Sequence, residues 1–112
     1  MSNYAKLCCF IYEEIDEIIR SMKKEVVRTE NLKLKRYWLD MRRMQLDMEE
    51  LELNMLESGN PPDRESVYFK MFNLITEMEQ KMEEEQELFL IKKYMIALQR
   101  IQVDAEEMYL EE

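Results

Sequence analysis

The chain has 112 residues, 37% charged and 46% hydrophobic, and carries a formal net charge of −9. One Gly and two Pro supply too few turn formers for a β-rich fold, whereas the abundant Leu, Met, Glu, Lys, Arg and Gln favour helix. There is no histidine, which excludes His-based acid/base catalysis, Ser-His and Cys-His nucleophiles, His-containing zinc sites and ferritin-like di-iron sites.

The first segment, over about 2–28, carries apolar residues at Tyr4, Cys8, Ile11, Ile15, Ile18 and Met22. The alternating four-and-three spacing is a heptad seam on one helix face. Cys8 and Cys9 are adjacent, a spacing that would strain a disulfide between them. They are expected as reduced thiols, with an intermolecular disulfide as the alternative. The apolar run 7–12 is too short for a signal-peptide core, and no window approaches the ~20 apolar residues of a membrane span. The expectation is a soluble, cytoplasmic protein.

The seam changes phase near Arg28-Thr29-Glu30-Asn31, where Thr29 or Asn31 suits a helix cap. A second segment, about 31–58, follows with Leu34, Tyr37, Met41, Met44, Met48, Leu51 and Met55 in heptad spacing. The run Ser58-Gly59-Asn60-Pro61-Pro62-Asp63 is the strongest punctuation. Gly59 fits a C-cap, and Asn60 with Pro61 fits the start of the next helix. A third segment, about 61–83, presents Tyr68, Met71, Ile75, Met78 and Met82. The Glu83–Glu87 tract interrupts the pattern. It resumes over about 87–111 with Ile91, Tyr94, Leu98, Ile101, Ala105 and Met108. The expectation is a single all-α domain, 1–112, forming an antiparallel helical bundle with coiled-coil-like packing. Because the breaks inside each half lack Gly and Pro, two long helices in one hairpin are the alternative.

Two segments carry a second apolar line. Leu32, Leu39, Leu46 and Leu53 recur every seven residues, as do Phe89, Ile96, Val103 and Leu110. With the seam labelled a and d, both lines fall at f, pointing away from the seam. Either these helices are central in their own chain, with neighbours on two sides, or the lines meet another chain. Left in water they would be an aggregation liability. The expectation is an interface formed by these eight residues, in a homodimer or a complex with a protein partner. The methionine content suits adaptable packing. Trp38, beside the seam, is expected as a core or interface anchor.

Charge is unevenly placed. Residues 20–43 hold nine basic and three acidic side chains, whereas 44–112 hold six and eighteen. A tight turn at 59–62 sets Lys33, Lys35 and Arg36 opposite Glu83, Glu84, Glu85 and Glu87 across antiparallel helices. The net −9 argues against direct nucleic-acid binding. It suits an acidic surface engaging a basic groove, with candidates Asp47, Glu49, Glu50, Glu52, Glu77, Glu79, Glu83, Glu84, Glu85 and Glu87.

Glu13-Glu14-Ile15-Asp16-Glu17 has the form E-E-x-x-E. It resembles the first metal-binding element of the MazG-like all-α nucleotide pyrophosphohydrolases. That resemblance implies a Mg²⁺ site completed by an E-x-x-D element on the next helix. Here Tyr37 stands three before Asp40 and Met44 three before Asp47, so the second element is absent. There is no Gly-rich phosphate loop, and Ser2, Ser21, Ser58 and Ser66 have no recognisable activating base. No catalytic residue, metal site or cofactor is expected. The sequence points to a non-enzymatic acidic protein-binding module that homodimerises. By analogy it could be a small inhibitor of phage or viral type acting on a host protein, such as one that handles nucleic acid. A structural coiled-coil component and an atypical MazG-like hydrolase are the alternatives.

Overall fold

A computed structural model describes residues 3–58 and 61–111. Four helices follow in order: α1 (Asn3–Thr29), α2 (Leu32–Glu57), α3 (Arg64–Glu83) and α4 (Leu90–Leu110). They form an antiparallel bundle, 45 × 30 × 22 Å. The hairpin alternative fails at Glu30, which takes a left-handed φ of 55° between α1 and α2. A non-Gly residue reaches that region at a steric cost. The Thr29 hydroxyl bonds back to the Glu25 carbonyl (2.7 Å), and the Asn31 side chain accepts the Leu34 N–H (3.0 Å). The second of the two expected caps is therefore the N-cap of α2.

The start of α3 departs from expectation. Pro61 and Pro62 lie outside the helix, and Asp63 caps it by accepting the Ser66 N–H at 3.0 Å. The reason is steric: a proline disfavours helical backbone in the residue before it, so Pro62 keeps Pro61 out of a first turn. Asp63 also places a carboxylate at the positive end of the helix. The proposed caps Gly59 and Asn60 lie outside the described residues. α4 begins at Leu90 rather than near 87, because Glu85 holds the preceding loop.

The heptad seams form the core. Ile11, Ile15 and Met22 of α1, Leu34, Met41 and Met48 of α2, Ile75 and Met82 of α3, and Ile91 and Leu98 of α4 are almost fully buried. Tyr4 and Ile18 are only half-buried, while Leu7 and Ile19 are buried beside them. The buried face of α1 is broad because α1 packs on all three other helices. Each of α2 and α4 packs on α1 and α3, and α1 touches α3 across the diagonal. α2 and α4 therefore occupy opposite corners of the bundle.

Candidate functional site

The corner positions of α2 and α4 decide where the f-lines lie. A helix at a corner buries its a and d positions and leaves f facing outward. All eight side chains are exposed, from 42% at Leu39 to 80% at Phe89. Although each helix packs on two neighbours, neither has its f side covered by its own chain, so the alternative in which the chain itself buries these lines is corrected. The result is two apolar lines on opposite flanks of the bundle. Each spans about 31 Å at 1.5 Å per residue. Val27 and Leu56 are also exposed, one beside each end of the α2 line in the chain.

The ten candidate acidic residues divide into two groups of five. Five are engaged or withdrawn. Glu49 is half-buried and accepts the Tyr12 hydroxyl of α1. Glu52 pairs with Arg64 at 3.5 Å. Glu79 is half-buried with one oxygen buried and unbonded, and burial raises its pKa. Glu85 and Glu87 both meet Lys33 at 3.2 Å. The expected match between the basic block and the Glu tract is thus made by Lys33. Lys35 and Arg36 form no ion pair among the described residues.

Glu85 is a structural residue that sequence reasoning placed on the outer surface. Its carboxylate accepts the N–H groups of Glu87 (2.9 Å) and Leu88 (3.0 Å), with the Tyr37 hydroxyl at 3.1 Å. Burial works against its charge. The two N–H groups, Lys33 and Tyr37 outweigh that and pull its pKa down to about 2. The remaining five, Asp47, Glu50, Glu77, Glu83 and Glu84, are exposed. The first three line a groove of about 370 Å³ between α2 and α3, with Lys70 and Asn73 on its wall.

The three glutamates of the E-E-x-x-E motif share one side of α1. Glu13 and Glu17 are exposed, while Glu14 is half-buried. Its pKa is raised by burial and by the neighbouring Glu17, Asp104 and Glu13 carboxylates. Among the described residues, no group of three or more His, Cys, Asp or Glu side chains is placed to hold a metal ion. Asp16 instead serves the fold. Its Oδ1 accepts the Gln45 amide at 2.9 Å and its Oδ2 meets Arg20 at 2.9 Å, while Arg42 donates to the Gln45 oxygen. Gln45 is the buried polar residue of the core, tying α1 to α2. Its place beside the Met44 seam residue is the signal that could have revealed it.

Cys8 is buried, its Sγ 3.8 Å from the Arg64 carbonyl, and burial pushes its pKa up to about 11. Cys9 is exposed, and both are free thiols. Trp38 is half-buried with its indole N–H enclosed and unbonded. No helix among the described residues is long and apolar enough to cross a membrane.

Comparison with known proteins finds no matching family model, no matching curated protein and no matching solved structure.

Proposed function

We propose that the protein is a non-enzymatic binding module whose outer α2 and α4 faces dock other protein surfaces. The supporting observation is the exposure of all eight f-line residues at the outer corners of a bundle that already has a complete core. A row of large apolar side chains left exposed on a folded surface suits an interaction site. Leu and Phe at these positions are not part of the buried core of their own chain. A homodimer, or a complex with a foreign protein partner, would cover them. An inhibitor acting on a host protein is one setting for such a module, and that extension rests on analogy alone.

The test is purification from the native host at near-physiological salt, with native mass measurement of wild type and of Leu39→Glu/Leu46→Glu and Ile96→Glu/Val103→Glu variants. The expected result is a wild-type assembly containing a second polypeptide, self or foreign, that at least one double variant loses. A wild-type chain that stays alone, and double variants that match it in every solution property, would remove the proposal. A second reading, docking of a basic partner, is favoured by Asp47, Glu50 and Glu77 meeting around one groove. Such binding would weaken steeply as salt rises, whereas docking through the apolar lines alone would change little.

A further inference from the structure

The two outer faces differ in what flanks their apolar lines. Between successive f residues stand two side chains, three and four positions on, one to each side of the line. On α4 these pairs are Lys92 and Lys93, then Gln99 and Arg100, then Glu106 and Glu107. All six are exposed and none forms an ion pair among the described residues, the two lysines resting over the rings of Phe89 and Tyr94 on their own helix at 5.4 and 5.7 Å. The flanks are therefore basic at the amino end and acidic at the carboxyl end, with the apolar line running between them. A parallel neighbour of the same kind would set like charge on like. An antiparallel neighbour related by a two-fold axis would set opposite charge on opposite charge.

We propose that the α4 face is the self-association surface, with a second copy of this chain docked antiparallel on it. This rests on the reading of the outer lines as docking surfaces and adds the occupant and its register. Two-fold symmetry brings Phe89 against Leu110 of the second copy and Ile96 against Val103. In such a pair each flank meets the same flank of the other helix. Lys92 then lies beside Glu106 of the second copy and Lys93 beside Glu107, each pairing occurring twice. Gln99 falls near the axis and meets its own copy, and an amide can both donate and accept there. Arg100 also approaches its copy. This is the one like-charge contact, and Asp104 stands one turn along the same helix.

The α2 face is a poorer partner for itself. The same operation sets both Arg42 and Arg43 against their own copies. Three of its flanking groups are also already engaged, Glu49 with Tyr12, Arg42 with Gln45 and Arg43 with Asp40. A strip one helix wide lies at the small end of specific interfaces, so dissociation is expected on the order of micromolar. Most closed homodimers are isologous in this way.

The experiment is sedimentation equilibrium of the full chain from about 1 µM to about 1 mM, a range that brackets a weak interface. Four samples are compared with wild type: Lys92→Glu/Lys93→Glu, Glu106→Lys/Glu107→Lys, an equimolar mixture of those two, and Lys23→Glu/Lys24→Glu on α1, a control matched in charge to the first. Wild type and control should dimerise and stop there. Each α4 variant alone should remain monomeric with unchanged helical circular dichroism. The mixture should form a heterodimer, because one α4 is then acidic at both ends and the other basic at both ends. A wild-type monomer over the whole range, growth beyond a dimer, variants that dimerise as wild type does, or a mixture that stays monomeric would each overturn the proposal. A wild-type monomer whose foreign partner is still lost on Leu39→Glu/Leu46→Glu would overturn the α4 dimer and leave the docking-surface reading intact.

Discussion

Glu85 shows how one side chain can change meaning between sequence and structure. In the chain it is one carboxylate of a solvated-looking run. In the fold it closes the α3–α4 loop by accepting two backbone N–H groups and an ammonium. Its pKa, about 2, lies below the ordinary 4.5. The stability it contributes is therefore complete above about pH 4.5 and lost as the pH falls toward 2. Replacing Glu85 with Gln should lower the melting temperature at pH 7, with the gap to wild type closing on acid titration through that window. A gap that persists unchanged at pH 2 would deny the carboxylate this part. The two neighbouring cysteines separate in the opposite sense. Cys9 is exposed and Cys8 is buried with its thiol held neutral, and reactivity follows thiolate access. Alkylation of the native protein at pH 8 should give a single adduct on Cys9, with Cys8 reacting only on unfolding. Mass mapping checks this directly.

At the scale of elements, caps and breaks decide what periodicity cannot. The heptad spacing identified four seams, and Tyr68, Met71, Ile75, Met78 and Met82 of α3 are all buried as expected. A period reports which face is apolar, and burial follows from that. It says little about ends, which depend on single hydrogen bonds. The Asn31 cap was legible because its residue type matches its task. Asp63 was missed because Asn60 and Pro61 offered the same signal earlier, and the effect of Pro62 on Pro61 was left out. Glu30 carried no signal at all, since Glu is not a residue for positive φ. Two outcomes follow. Glu30→Gly should raise unfolding free energy by up to ~1 kcal/mol, relief of the left-handed strain exceeding the added entropy of the unfolded chain. Asp63→Ala should cost about 1 kcal/mol by stripping the α3 cap. Urea melts of the two variants would settle both signs.

At the scale of the whole molecule, core and outer faces are energetically separable, and this is what makes a docking function testable. The core joins all four helices through the a and d positions, while the f-line residues are exposed and lie outside the buried cluster. Exposed Ile96 and Val103 are even poor choices for the helix itself, since β-branched residues have lower helix propensity than Glu. Their presence on the outer corner of α4 cannot be ascribed to folding. Ile96→Glu/Val103→Glu should therefore leave the urea midpoint of the dilute monomer unchanged or slightly raised. Ile75→Ala, which opens a cavity at a fully buried site, should cost about 2–5 kcal/mol. The two variants should also divide in the opposite way at high concentration. The core variant keeps its outer faces and should still associate while folded. The surface variant should lose concentration-dependent mass. A large loss of monomer stability in Ile96→Glu/Val103→Glu would mean that the line serves the fold after all. The apolar pattern at f would then need no second molecule to explain it.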